Sequence, residues 1–153
     1  MAATLITVWD ALITAVRGID GSGSYTHDLS GTGAVGRVRV GQPMVGPPFA
    51  TVVFDEAPTS HDVQLGSYRR DLQFTIVGWG LTGADTDEAR SEAAANMFDD
   101  LCRACESDRT LGGIVYEVLC NGTAFVANDA ESGAQYPVAV VRVETWLRVK
   151  TGA

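Results

Sequence analysis

The residues of this chain best suited to metal or redox chemistry are two closely spaced cysteines. Cys102 and Cys105 lie three positions apart in the segment DLCRACESDRTLGG, residues 100–113. A structural zinc needs four ligands, and the chain adds only Cys120 and two histidines, each alone in a glycine- or proline-rich loop. The pair also falls inside a predicted helix, not at the helix N-terminus that stabilises a redox thiolate. We therefore expect buried thiols, with no metal and no cofactor.

Acidic side chains are the second group with chemical potential. Residues 85–108 hold eight acids against two arginines, a net charge of −6. Asp99 and Asp100 are adjacent, so on a helix they point about 100° apart and cannot serve one site. Each is expected to be a solvated charge on an exposed face. No histidine or second acidic helix is evident opposite them, so the sequence predicts no catalytic residues and no enzyme.

Composition and charge exclude several classes of protein. The chain has 153 residues, 46% of them hydrophobic, which predicts a single domain spanning residues 1–153. Its net charge of −8 and the absence of a basic patch argue against specific nucleic-acid binding. No apolar run reaches the roughly 20 residues of a membrane span. The apolar N-terminus has no preceding basic region and contains Asp10, so we expect cytosolic synthesis without a signal peptide.

Hydrophobic periodicity predicts two helices. Apolar residues recur at three- and four-residue steps over residues 4–17, and Gly18 is placed for a C-terminal cap. Asp85 and Glu88 form a capping-box pattern that opens the second helix, which the segment 111–113 is expected to end.

Five extended segments are predicted, at residues 35–40, 47–55, 68–80, 113–121 and 136–151. Within the third segment, Leu72, Phe74 and Ile76 alternate with Gln73, Thr75 and Val77, as in a strand with one buried face. The order is helix-strand-strand-strand-helix-strand-strand. This grouping predicts an α+β fold, with a largely antiparallel sheet of about five strands and two helices packed on one face. The intervening segments, about 18–34, 56–67 and 122–135, are predicted to be mobile loops.

The last predicted strand carries the candidate interaction residues. Arg142, Glu144, Trp146 and Arg148 share one face of it, opposite a face of alanine, valine and leucine. Aromatic and arginine side chains are enriched in protein contacts, so Trp146, Arg142 and Arg148 are candidate interface residues. Coverage of Trp146 within the monomer is an equal alternative.

Three loop residues complete the candidate interface: Tyr25, His61 and Asp62. They lie in segments long enough to act as arms that become ordered on assembly.

Several segments together resemble the tail terminator proteins of long-tailed bacteriophages and related phage-like particles. The resemblance covers nearly the whole chain as a pattern and has no diagnostic motif. Its most specific part is the helix DEARSEAAANMFDDLCRAC followed by SDRTLGGIVYEV and the strand VAVVRVETWLRV. The opening helix LITVWDALITAVRGI, the proline-led PPFATVVF and the strand RRDLQFTIVGWG contribute as well.

The resemblance implies a structural virion protein made in the host cytoplasm. Such proteins form a ring, expected here to hold six copies, at the head-proximal end of the tail tube. The implied partners are other copies of the chain, the tail tube protein and the head–tail connector or neck proteins. No catalytic residue or cofactor comes with the resemblance. Another neck or minor tail protein is the alternative within this class, and a small metal- or ligand-binding domain is the alternative outside it.

DNA would pass through such a ring without specific binding. Acidic residues repel phosphates, so Asp99, Asp100 and Glu106 are candidates to line the channel. An outward, solvent-facing helix is an equal alternative for these three side chains.

Overall fold

Two helices and six strands form in the part of the chain that the computed structural model describes. The described residues are 4–37, 48–58, 63–64, 66–80, 86–128, 133 and 135–150. The elements, in chain order, are α1 (Leu5–Arg17), β1 (Val35–Gly36), β2 (Phe49–Glu56), β3 (Val63–Gln64), β4 (Ser67–Trp79), α2 (Asp87–Glu106), β5 (Glu117–Asn128) and β6 (Gln135–Lys150). Neither helix in these ranges is long and apolar enough to cross a bilayer.

Helix α1 confirms the first predicted helix. The Thr4 side chain caps its N-terminus by accepting a hydrogen bond from the Thr7 backbone N–H at 3.2 Å. Val8, Leu12 and Val16 recur at four-residue steps and are fully buried. One face of the helix therefore packs into the core, as its periodicity predicts.

Helix α2 is shorter at both ends than the sequence predicts. Its N-cap is Thr86, whose hydroxyl accepts from the Ala89 backbone N–H at 3.1 Å; Asp85 of the predicted capping box lies outside the described residues. The helix ends at Glu106, before the predicted stop at 111–113. The reason is Asp108, whose carboxylate accepts from the backbone N–H groups of residues 110 and 112 and so builds a turn.

The strands form one sheet in the order β1-β2-β4-β6-β5, and β3 pairs with the start of β4. Every pairing is antiparallel except that of β1 with β2. The α+β class and the largely antiparallel sheet are confirmed, with β3 as an unpredicted sixth strand. One hydrophobic core contains residues of both helices together with Phe74 and Val141 from the two central strands.

The two faces of the sheet follow the predicted alternation. Leu72, Phe74 and Ile76 are at most 1% exposed and point toward the helices. The other side, which we call the open face, carries the intervening residues of β4, β6 and β5. At one end of it Phe49 stacks on Trp79 with ring centroids 4.3 Å apart. At the other end the side chains are mostly charged.

Two predicted loops contain regular structure instead. Residues 122–128 belong to β5 and pair with β6 as far as Asn128 opposite Gln135. The sequence analysis predicted a loop from residue 122 onward, but Gly122 lies where the two strands approach closely. A Cβ added there would overlap the carbonyl group of Val140. In the segment 56–67, β3 pairs with β4, while residues 59–62 and 65 lie outside the described part.

The segment 18–34 packs against the protein, which the prediction of a mobile loop did not anticipate. Ile19, His27 and Leu29 are at most 1% exposed. The Leu29 backbone N–H donates to the Ile19 carbonyl at 2.6 Å. The segment then leads into β1, which lies parallel to β2 at the sheet edge.

Candidate functional site

An aromatic and cationic stack on the open face is the most distinctive surface feature among the described residues. The Trp146 and Tyr116 rings are parallel within 4° with centroids 4.3 Å apart. The Arg69 guanidinium carbon lies 4.4 Å from the centroid of Trp146. Because Arg69 comes from β4 and Tyr116 precedes β5, on opposite sides of β6, Trp146 lies between them. We call these three residues the Trp146 stack.

The stack is held in place on one side and exposed on the other. Arg69 donates from Nε to Asp71 Oδ1 at 2.7 Å, which fixes the guanidinium beside the tryptophan. Tyr116 is 57% exposed, the largest value among the exposed large hydrophobic residues described. Tryptophan, tyrosine and arginine are the residue types that dominate binding energy at protein interfaces. The arrangement therefore offers a pre-formed contact point for another protein.

Charges of both signs surround the stack. Arg142 and Glu144 are exposed and Arg148 is half-buried, all on the same face of β6 as Trp146. This confirms the predicted face of the strand. The charged side chains of the described open face are Asp55, Arg69, Asp71, Glu117, Arg142, Glu144 and Arg148. A surface of mixed charge is suited to binding another protein. It is not suited to binding the phosphate backbone of a nucleic acid, which requires clustered Lys and Arg.

The outer edge of the sheet beside the stack lacks the usual protection against strand pairing. Strand β5 has 12 residues and pairs with β6 on one side, and no strand among the described residues pairs with its other side. Glu117 is its only charged residue, and it contains no lysine or proline. Leu119 and Phe125 are each 45% exposed. Long, apolar, uncharged edges pair readily with another chain.

The other predicted interface residues do not join this surface. Tyr25 is half-buried on the helix side of the sheet, in a groove lined by Ala11, Ala15 and Leu111. Burial raises the pKa of its phenol above the ordinary value. His61 and Asp62 lie outside the described residues. The candidate interface is therefore reduced to Trp146, Arg142 and Arg148, to which the structure adds Tyr116 and Arg69.

The three predicted channel acids have three different environments. Asp99 is exposed, as expected. Glu106 is 29% exposed at its side chain and lies 3.5 Å from the Arg109 guanidinium. Asp100 is 1% exposed, so its expected position on a solvated face is wrong. It lies three residues after Met97 and four before Ala104, both buried, and this helical spacing is the signal by which the sequence could have identified it.

Asp100 fastens the segment 18–34 to α2. Its carboxylate accepts hydrogen bonds from the backbone N–H groups of Thr26 at 3.1 Å and His27 at 2.8 Å. It also contacts His27 Nδ1 at 3.0 Å. Because several donors satisfy the buried carboxylate, it fits a structural role. Sequence reasoning did not foresee the contact because 73 positions separate the two residues.

All three cysteines meet where α2 crosses β5. Cys102 and Glu106, one helical turn apart, face Cys120 of the strand, and their ligand atoms lie within 4.8 Å of one another. Hydrogen bonding to Cys120, with burial, raises the pKa of the Cys102 thiol. The hydrogen bond with Cys102 lowers the pKa of the Cys120 thiol. The hydrogen bond with Cys105 and burial outweigh that effect, so the pKa of Cys120 is raised as well. Cys105 is buried as predicted, while Cys102 and Cys120 are half-buried.

The raised thiol pKa values predict a stability that declines in alkaline solution. The unfolded chain loses these protons above about pH 8.5, whereas the folded chain retains them, so unfolding is favoured as the pH rises. For the partly exposed pair of Cys102 and Cys120 we expect a loss of about 1 kcal/mol per pH unit above pH 9. Urea unfolding of reduced, chelator-treated protein would measure it. The double variant C102S/C120S should show a shallower slope, and an equal slope would contradict the assignment.

Comparison with solved structures finds several similar chains, one of which comes from a phage-like particle. A chain from the virion of a native gene transfer agent (GTA) particle is similar to this one with a TM-score of 0.37 and 12% sequence identity. The match covers 92% of this chain and 95% of that chain. No protein-family model matches the sequence, and no curated protein matches it. Identity and TM-score at this level assign the chain to no family.

Proposed function

We propose that this chain is a structural subunit of a phage-like tail, where copies of it form a ring that terminates the tube at its head-proximal end. The sequence resemblance to tail terminators suggests the position in the particle. The observation that carries an assembly role is the outer edge of β5 with the adjacent Trp146 stack. In this proposal the protein acts by its shape and contacts, without catalysis.

The proposed ring uses the two unlike edges of the sheet. Strand β5 forms one edge with 12 residues, and β1 forms the other with two. A contact between the β5 edge of one copy and a different surface of the next copy is heterologous. Contacts of that type repeat around an axis and close into a ring when the rotation permits. The two edges of the sheet therefore differ, as the two sides of a head-to-tail contact in a cyclic assembly must.

The Trp146 stack is proposed to bind a neighbouring protein in the assembly. Its members Tyr116, Trp146 and Arg69 come from one end of the open face, next to the exposed Leu119 of β5. An edge contact and a face contact can therefore be made by the same partner. Asp99 is exposed and remains a candidate for the channel wall, whereas Asp100 is buried and cannot line a channel.

Native mass spectrometry of the purified protein over a concentration series tests the ring. The expected result is a species of six times the 16.2 kDa monomer mass. We expect the double variant L119K/F125K to remain monomeric, because lysine on an edge strand opposes strand pairing. Ile6→Lys is the matched control, since Ile6 is an equally exposed apolar residue, at 50%, on α1. Assembly that is retained by L119K/F125K would contradict the β5 contact.

The stack predicts a second effect on assembly. We expect Tyr116→Ala to weaken association between subunits by about 2 kcal/mol, roughly thirtyfold, because exposed aromatic anchors carry much of the binding energy. Sedimentation equilibrium would measure the change, with circular dichroism to show that the monomer is folded. An unchanged association constant would remove the stack from the subunit contact and leave it for another partner.

A capping assay separates a tail terminator from another neck or minor tail protein. Tail tube protein from the same particle is polymerised with and without this chain, and tube lengths are measured by electron microscopy. Tubes capped at one end and shorter at low ratios of this chain are the expected result. Tubes of unchanged length, with no ring at either end, would count against termination even if a hexamer forms in solution.

A further inference from the structure

Two thiols and one carboxylate converge at a single point of the described part of the fold. Cys102 and Glu106 stand on the same side of α2, and Cys120 stands on β5 beneath them. Cys105, the remaining cysteine, is buried and does not belong to this group of ligand atoms. From the sequence we expected no metal at these cysteines, because the pattern does not show that Cys120, on a later strand, lies next to the helical pair.

The spacing suits a tetrahedral metal ion. Zinc binds sulfur at about 2.3 Å and carboxylate oxygen at about 2.1 Å, which places neighbouring sulfurs about 3.8 Å apart. The ligand atoms of Cys102, Cys120 and Glu106 already lie within 4.8 Å of one another. Ordinary side-chain rotations about χ1 and χ2 cover the difference of about 1 Å.

The three ligand residues are accessible from solvent, and water can occupy a fourth position. Cys102, Glu106 and Cys120 are each half-buried, so an ion reaches them from solvent without opening the core. Zinc sites with three protein ligands hold water in the fourth position. Thiolate ligands select zinc and other soft ions over magnesium or calcium, which prefer oxygen.

We propose that Cys102, Cys120 and Glu106 bind one zinc ion, with water in the fourth position. The ion joins the C-terminal part of α2 to the edge strand β5, so it would brace the edge that the proposed ring uses. The site itself does not depend on that ring. Zinc displaces the thiol protons when it binds, and Arg109, 3.5 Å from the Glu106 carboxylate, offsets part of the negative charge of the ligands.

The test is zinc titration of the reduced, chelator-treated full chain, followed by native mass spectrometry and chelator competition. One zinc per chain is expected. Its apparent affinity should rise by about a hundredfold per pH unit below the thiol pKa values, since two or more protons leave. Cobalt(II) in place of zinc should give the thiolate charge-transfer absorption and the intense visible bands of a tetrahedral site. Uptake of less than one zinc per chain by reduced wild-type protein would overturn the proposal.

Variants locate the ion. The variant C102S/C120S should abolish stoichiometric binding, and retained binding would overturn the site. Glu106→Gln, a change at a partly exposed residue, should lower the zinc affinity. We expect a loss at least as large as the roughly 10–100-fold seen when a contact that supports a ligand is removed. The exposed Glu92→Gln on the same helix is the control and should bind as wild type does. If reduced protein takes up no zinc while air-exposed protein loses the mass of two hydrogen atoms, as one disulfide forms with oxygen as the oxidant, the cluster is a redox pair and the zinc proposal fails.

Discussion

Replacement of Asp100 by alanine is expected to lower the free energy of unfolding by about 3–5 kcal/mol. The side chain is 1% exposed, and its carboxylate accepts hydrogen bonds from the backbone of Thr26 and His27. It also contacts the His27 ring. Alanine would leave the buried His27 N–H without an acceptor and would also remove the acceptor of the part-buried Thr26 N–H. The loss is large because each unpaired buried polar group costs about 1–3 kcal/mol.

Urea unfolding with native-state hydrogen exchange would measure this effect. The exchange of the Thr26 and His27 amides should accelerate most, since these N–H groups lose their acceptor. The neighbouring Asp99→Asn is the control. Asp99 is exposed, so the change should stay within about 0.5 kcal/mol. Equal effects of the two substitutions would show that Asp100 does not hold the segment in solution.

A second large effect is expected from Gly122→Ala, about 3–5 kcal/mol of destabilisation. A Cβ at this position would overlap the Val140 carbonyl oxygen and come within 2.9 Å of its carbon. The φ angle of 154° adds strain for any residue with a side chain. Backbone atoms cannot rotate away as a side chain does, so β5 and β6 would have to separate locally.

The matched control is Gly36→Ala, in the short edge strand β1. Its Cβ would meet no atom within 4 Å, so we expect a change within about 0.5 kcal/mol. Thermal unfolding of both variants gives the comparison. In addition, NMR cross-peaks between β5 and β6 should weaken around residue 122 in the first variant only. Wild-type stability of Gly122→Ala would mean that the hairpin tolerates a different register there.

The sequence was most informative where hydrophobic residues recur with a regular period. Residues 4–17 and 68–80 were predicted as a helix and a strand, and α1 and β4 occupy nearly these ranges. The alternation in β6 also predicted which face carries Trp146. Local pattern sufficed here because one face of each element packs on the same core.

The candidate site depended on contacts that no local pattern encodes. The partners of Trp146 in the stack come from β4 and from the turn before β5, and both are placed by strand pairing. Likewise Cys120 reaches Cys102 only because β5 lies beneath α2. Gly122 lies within a strand and not in the predicted loop. In a sequence, a glycine that permits the close approach of strands cannot be told apart from a loop glycine.

The antiparallel pairing of β4 with β6 at the centre of the sheet has a consequence for the rate of folding. Among the residue pairs that face each other across β4 and β6, those closest in sequence, Trp79 and Val138, are 59 positions apart. The most distant pair, Ser67 and Lys150, are 83 positions apart. The entropy of closing such loops must be lost before the strands gain their contacts. Folding should therefore be slow for a chain of this length, and the nascent β4 must wait for β6 to be synthesised. Until then its apolar face stays exposed, which makes chaperone binding during synthesis the expected route to a productive fold.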